Sequence, residues 1–170
     1  MDAVSVPAHL HTLNDKWDLY YHLPHDANWT LDSYISITKD INDVETIVKI
    51  NEDMHDNVIK NCMLFIMKTG ITPMWEDPNN RNGGCFSYKV SNKYVVDVWK
   101  NLTYLLCGNN LSNKEEYNKY INGLTISPKK NFCIVKIWLN THKIQDPSII
   151  QTIPNLSTQG CLFKKHEPEY

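Results

Sequence analysis

The sequence is poor in the residues that disulfide-stabilised, metal-binding and charge-driven proteins require. Its five cysteines are odd in number and widely spaced, and they contain no CxxC pair, so we predict neither a disulfide framework nor a zinc site. Arg81 is the only arginine, and the net charge is −2 with a pI near 6.4. Because a general duplex binder needs a basic face, that class is excluded, and any nucleic-acid ligand must be small or locally recognised.

Targeting and catalytic signals are also missing. No run approaches the roughly 18 apolar residues of a membrane span, and the first residues lack the charged and hydrophobic regions of a signal peptide. We therefore expect a protein that does not contact membranes. Its expected location is the cytoplasm, or the cytoplasm and nucleus, and for a viral protein the cytoplasm of the host. The abundance of Lys, Asn and Ile is typical of an A+T-rich genome, such as that of a protist or a large DNA virus.

No sequence pattern indicates a metal, a cofactor or a reaction. There is no Gly-rich phosphate loop and no GxSxG motif. The pairs His9-x-His11 and His22-x-x-His25 have ligand-like spacing, but they lack carboxylate or thiolate partners. A nucleotide hydrolase would need clustered carboxylates to hold metal ions, and no acidic helix of that kind is present. We predict no catalytic residues, no metal and no cofactor.

The apolar pattern indicates one α+β domain. A chain of 170 residues with 42% hydrophobic residues is typical of a single globular domain, which we assign to 11–170 after a flexible arm at 1–10. Alternation predicts strands at 17–23, 33–38, 63–68, 85–90, 124–127, 132–140 and 160–165. Helices are predicted at 43–53, capped by Asn42, and at 93–108, with short ones from a Ser112/Glu115 capping box and from Asp146. Since hairpins outnumber βαβ crossovers, we expect helices on one face of an antiparallel sheet.

The most informative stretch is the long loop 70–84, GITPMWEDPNNRNGG, between two strands. Its pair Trp75-Glu76 sets a large π face beside a carboxylate. A cationic ring stacked on the indole gains about 2 kcal/mol once desolvated, and the carboxylate accepts two N–H groups. A 7-methylated guanine offers both features. The alternative is that Trp75 anchors the core and Glu76 is merely solvated.

Two other turns carry candidate residues. Trp29 lies in the turn after the first strand, and Lys129 and Lys130 lie in the turn between the fifth and sixth strands. If successive strands alternate in direction, these turns and the loop carrying Trp75 emerge at the same end of the sheet. The sequence then predicts two indoles, a carboxylate and a basic tip in one place.

Four blocks, in unbroken order from about His11 to His166, resemble the eukaryotic cap-binding translation initiation factor 4E family. They are HTLNDKW at 11–17, the block from Lys68 to Gly84 with its PMWED signature, DVWKNLTYLLCG at 97–108 and VKIWLN at 135–140. The resemblance implies a curved sheet with about three helices on its convex face and a site for the 7-methylguanosine cap of mRNA on its concave face. It also implies a monomer that binds capped mRNA and a scaffold of the initiation factor 4G type, or a dedicated substitute.

The family's cap-binding roles fall on specific residues here. The methylated base would stack between Trp29 and Trp75, with Glu76 on its guanine edge and Trp138 beside the N7-methyl group. Taken alone, Trp138 is better explained as a strand-core aromatic. Lys129 stands where the family has a phosphate-binding Arg, while the second basic position is Ile134. The further phosphate-binding candidates are Lys130, Lys136, Lys164 and Lys165.

The surface that recruits the scaffold departs further from the family. The positions that correspond to its contact residues are His11, Leu13, Val48, Lys100 and Tyr104. The family's exposed Trp on the first helix is Val48 here, and Val is a poor interface anchor. We therefore expect weak binding of the usual Tyr-x-x-x-x-Leu-Φ motif. The alternative to an initiation factor is a repressor or competitor that holds caps without recruiting the usual scaffold.

Overall fold

The computed structural model describes residues 10–170, so the predicted arm lies outside the described residues except for Leu10. Seven strands and three α-helices follow one another with three short 3-10 turns. The strands are β1 Thr12–His22, β2 Tyr34–Asp43, β3 Met63–Lys68, β4 Gly84–Ser91, β5 Ile121–Pro128, β6 Phe132–Leu139 and β7 Leu162–Lys165. The helices are α1 Val44–Asp53, α2 Asp56–Asn61 and α3 Val95–Cys107, and the 3-10 turns are Leu31–Ser33, Glu115–Tyr120 and Pro147–Ile149.

All seven strands form one antiparallel sheet in the order β2-β1-β3-β5-β6-β4-β7. Side chains alternate between its two faces. One face, here called the helical face, buries Trp17 and Leu19 of β1 against Trp99 and Leu102 of α3. The prediction of an α+β fold with helices on one face of a curved antiparallel sheet is confirmed. Trp17 and Trp99 are both buried in this core.

The two longer helices were predicted at approximately the right positions, but the predicted starts and caps differ from those in the structure. Asp43, not Asn42, caps α1, because its side chain accepts a hydrogen bond from the Thr46 N–H at 2.7 Å. The predicted capping box at Ser112 is wrong, since the turn begins at Glu115 without a side-chain cap. Ser112 instead accepts a hydrogen bond from the Lys114 N–H. Helix α2 was not predicted, because six residues are too few for a helical period to emerge.

The prediction that the three turns emerge together is wrong. Strands β2 and β3 are both antiparallel to β1, so they run in the same direction. The reason is that α1 and α2 carry the chain back across the helical face between them. The loop after β3 therefore leaves the sheet at the end opposite to the turns that hold Trp29 and Lys129. Trp75 can meet Trp29 only if this loop folds back over the sheet.

The five cysteines are free thiols, and three of them are buried. Cys85, Cys107 and Cys133 are buried, whereas Cys62 and Cys161 are partly exposed. Burial raises the pKa of Cys85 and Cys107 to about 12. No helix within residues 10–170 combines the length and the apolar character that crossing a membrane requires.

Candidate functional site

A cavity of about 740 Å³ lies on the face of the sheet opposite the helices, here called the open face. The long loop does fold back over this face, so Trp29, Trp75, Glu76 and Trp138 share the cavity despite the opposite exits of their turns. The other lining residues include Lys129 and Lys136 near the fifth and sixth strands, Tyr34, Met63 and Phe65 on the floor, and Glu169 and Tyr170. A volume of this size is typical of small-ligand sites.

Asp77, next to Glu76, fixes the first half of the long loop. Its carboxylate accepts hydrogen bonds from the N–H and hydroxyl of Thr72 at 2.8 and 2.9 Å, and from the Asn79 N–H at 2.8 Å. Burial alone would raise the pKa of Asp77, but these bonds hold it below the ordinary value. The turn that presents Trp75 and Glu76 is thus closed by a charged cap and stays closed at neutral pH.

Asn80 fixes the second half of the loop and is fully buried. Its amide N–H groups donate to the carbonyls of Thr72 and Met74, each at 2.9 Å, and its side-chain oxygen accepts from Asn122 at 2.9 Å. Because Asn122 belongs to β5, this last contact ties the loop to the sheet. Trp75 and Glu76 therefore sit on a rigid support although they lie in a loop.

His166 joins the two tryptophans on this side of the cavity. Its ring lies 4.8 Å from Trp138 and 6.0 Å from Trp75, nearly parallel to the latter. Burial lowers its pKa, so the ring is neutral at pH 7. Its Nδ1–H donates to the Asn80 carbonyl at 2.6 Å, and Nε2 lies 3.1 Å from the Cys85 sulfur. Trp138 itself is buried and donates from Nε1 to Thr125.

Trp29 is held from the other side by His22. The imidazole is fully buried and stacks on the indole at 3.9 Å with an angle of 8° between the planes. Its two nitrogens lie 2.9 Å from the Leu23 carbonyl oxygen and 2.8 Å from the Asn28 carbonyl oxygen. One face of the indole is therefore covered by His22, while Trp29 remains 46% exposed and lines the cavity.

The charges in the cavity are not paired with each other. Within residues 10–170, the two ion pairs are His11–Glu45 and Lys49–Asp53, and both involve α1. Glu76, Lys129 and Lys136 thus remain available to a ligand. The other predicted lysines lie outside the cavity lining: Lys130 and Lys165 are exposed on the surface, and the Lys164 ammonium lies 5.6 Å from the Trp75 ring centre.

The predicted partner surface lies at the helices. Val48 is partly exposed on α1, and Lys100 and Tyr104 lie one turn apart on α3, which contacts α1. At the start of β1, Leu13 packs against the core edge, and His11 is paired with Glu45 of α1. This pairing raises the pKa of His11. These residues lie far from the cavity, on the opposite side of the sheet.

Comparison with known proteins gives a consistent assignment. The family model described as Eukaryotic initiation factor 4E matches residues 12–167. The chain belongs to this family. The initiation factor 4E family consists of binding factors rather than enzymes, which confirms the prediction of a non-enzymatic protein.

Several relatives within the 4E family are recognisable by sequence. An initiation factor 4E homolog of Acanthamoeba polyphaga mimivirus is 41% identical over 87 residues, covering 51% of this chain and 29% of that protein. Initiation factor 4E-2 of Schizosaccharomyces pombe is 26% identical over 161 residues, covering 91% of this chain and 61% of that protein. The chain thus aligns with less than two thirds of the length of these relatives.

Solved 4E structures share the fold. A complex of C. elegans eIF4E-3 with the 4E-binding protein Mextli and a cap analog has a TM-score of 0.69 at 26% identity, covering 79% of this chain and 76% of that chain. A schistosome eIF4E complexed with m7GpppG and 4E-BP has a TM-score of 0.69 at 25% identity, covering 79% and 74%.

Within this 4E chain, sequence reasoning missed the residues that support the site. His22, Tyr34, Asn80 and His166 were not assigned roles, although each contacts or lines the surroundings of Trp29 or Trp75. The spacing of His22 and Tyr34 on neighbouring strands could have revealed their common face. No local signal identifies the tie between Asn80 and the sheet, because its partner Asn122 is distant in sequence.

Proposed function

We propose that this chain binds the 7-methylguanosine cap of mRNA and supports translation initiation in the cytoplasm. In this proposal the methylated base stacks between Trp29 and Trp75, Glu76 accepts the N–H groups of its guanine edge, and Trp138 lies beside the N7-methyl group. The observation that carries the proposal is the meeting of two indoles and an unpaired carboxylate in one cavity.

The chemistry of the ligand fits this set of residues. Each base–aromatic stack contributes about 1 to 3 kcal/mol, and methylation at N7 adds a positive charge that the indole faces attract. An adenine would present a mismatched edge to Glu76 and leave the carboxylate unpaired, which is costly in a desolvated site. Selectivity for the methylated guanine therefore follows from the charge of the ring and the donors on its edge.

The triphosphate is assigned to lysines. Lys129 and Lys136 line the cavity and are the first candidates, with Lys130, Lys164 and Lys165 contributing at longer range. A lysine supplies charge without the bidentate geometry of arginine, so these contacts are expected to be weaker and more dependent on salt. The cap analog and m7GpppG in the complexes of the related proteins support a ligand of this class.

The first experiment titrates intrinsic tryptophan fluorescence with 7-methyl-GTP and with GTP at two salt concentrations. We expect strong quenching by the methylated nucleotide only, because the cationic ring stacks on Trp29 and Trp75. A steep loss of affinity with salt would assign the triphosphate to the lysines. Equal binding of both nucleotides, or none, would refute the cap site.

A second candidate function is favoured by the helical surface. Val48 and Lys100 occupy positions where an apolar scaffold contact is expected, so the chain would hold caps without recruiting the usual scaffold and act as a competitor or repressor. The related complexes contain 4E-binding proteins, so the predicted partner surface at the helices is the one to test.

A scaffold-peptide measurement separates the two functions. We expect a Tyr-x-x-x-x-Leu-Φ peptide to bind the chain at least about tenfold more weakly than it binds a 4E protein with Trp at this position, because a buried Trp contributes 2 kcal/mol or more at interfaces. Val48→Trp should recover part of that affinity, measured by calorimetry. Tight binding by the unaltered chain would favour the initiation factor over the competitor.

A further inference from the structure

The floor of the cavity holds one polar group that the proposed cap contacts do not use, the hydroxyl of Tyr34. Tyr34 opens β2 directly after the 3-10 turn Leu31–Ser33 and pairs with His22 across the strands. His22 in turn pairs with Met63 of β3. Because directly paired residues share a face, Tyr34 lies on the open face, and it lines the cavity together with Glu76.

The Tyr34 ring is fixed by aromatic neighbours. Phe65 packs against it at 5.2 Å and 78°, His22 at 5.3 Å and 67°, and Trp29 lies 6.2 Å away. Contacts with the edges and faces of three rings leave little freedom to turn. The hydroxyl therefore has a defined position, which is what a specificity contact requires.

The hydroxyl has no protein partner. Tyr34 Oη makes no hydrogen bond with any other residue in the part of the chain that the structure describes, 10–170, whereas Tyr20, on the same strand as His22, donates to Asp18. Burial, with smaller contributions from the charges of Glu76 and Tyr170, raises the pKa of Tyr34. The group therefore stays a neutral hydroxyl at physiological pH, and it lies within the field of the Glu76 carboxylate.

We propose that Tyr34 is a specificity-determining residue that accepts a hydrogen bond from the exocyclic amine of the guanine. This inference rests on the proposed cap site. Glu76 can accept from the ring N–H and from one hydrogen of the amine, which leaves the second amine hydrogen without an acceptor. A hydroxyl held in the same cavity as the carboxylate satisfies this hydrogen, and it does so only for bases that carry the amine.

The test compares Tyr34→Phe with the unaltered chain on two ligands, 7-methyl-GTP and 7-methylinosine triphosphate, which lacks the amine. Phenylalanine keeps the aromatic contacts and removes only the hydroxyl. We expect the variant to bind 7-methyl-GTP about fivefold more weakly, as for one hydrogen bond, and to bind the inosine ligand unchanged. Tyr20→Phe, which removes a hydroxyl outside the cavity lining, is the matched control and should leave both affinities unchanged.

The outcomes separate this inference from the proposed function. An equal loss for both ligands would mean that Tyr34 acts through packing, and no loss for either would mean that its hydroxyl is unused; both results overturn the inference. If the unaltered chain does not distinguish 7-methyl-GTP from GTP, the cap site itself fails. Thermal unfolding of each variant shows whether a loss of affinity reflects a loss of folding.

Discussion

Replacing Glu76 by alanine is expected to lower the affinity for 7-methyl-GTP by about 100-fold. The carboxylate has no ion pair or hydrogen bond within residues 10–170, so its acceptors are free for the ligand. Two hydrogen bonds to a charged group contribute about 1.5 to 3 kcal/mol each, and the lower end of that range, about 3 kcal/mol for the pair, corresponds to about two decades in the dissociation constant. The measurement is the fluorescence titration described above.

Two further variants make the Glu76 result specific. Glu76→Gln keeps one acceptor and adds a donor that opposes the N–H groups of the base. We therefore expect its affinity for 7-methyl-GTP to lie between those of the unaltered chain and the alanine variant. Glu116→Ala removes an exposed carboxylate in the turn Glu115–Tyr120 and should have no effect. If Glu76→Ala binds 7-methyl-GTP as tightly as the unaltered chain, a group other than this carboxylate recognises the guanine edge.

The sequence predicted the strands well because the buried face imposes a period of two. The predicted strand 63–68 coincides with β3, and 132–140 differs from β6 by one residue. The first two strands were harder to delimit: β1 begins at Thr12 rather than 17, and β2 continues to Asp43. Residues 12–16 of β1 are exposed or only partly buried, so the apolar pattern fades there before the hydrogen-bonded ladder ends.

The site was predictable as a set of residues but not as a geometry. Trp75 and Glu76 are adjacent in sequence, so their joint chemistry is visible without a fold. Their meeting with Trp29 was predicted from alternating strand directions, and that argument fails because β2 and β3 run the same way. What brings the groups together is the folding back of the long loop, which depends on hydrogen bonds between residues far apart in the chain. Such bonds leave no local pattern.

Asn80 is the residue on which this folding back depends most. Asn80→Ala removes the donors to the Thr72 and Met74 carbonyls and the acceptor for Asn122, and unpaired polar groups at such a site cost about 1 to 3 kcal/mol each. Because water reaches some of these groups, we expect the free energy of unfolding to fall by about 3 kcal/mol. For a domain of this size that lowers the melting temperature by about 6 to 12 °C.

The neighbouring Asn79 provides the control. It is exposed, and its side chain makes one long hydrogen bond of 3.2 Å to Asp77, so Asn79→Ala should change the melting temperature by less than about 2 °C. The bond from the Asn122 side chain goes to the Asn79 backbone carbonyl and survives in that variant. Equal melting temperatures for the two variants would show that Asn80 does not hold the loop.

Ligand binding distinguishes a loosened loop from a weakened core. If Asn80 mainly positions Trp75 and Glu76, then Asn80→Ala loses affinity for 7-methyl-GTP, because the loop must be ordered again when the base binds. Saturating nucleotide should then raise the melting temperature, by mass action on the folded state, but by less than in Asn79→Ala at the same concentration. An unchanged affinity in the folded variant would place the role of Asn80 in global stability alone.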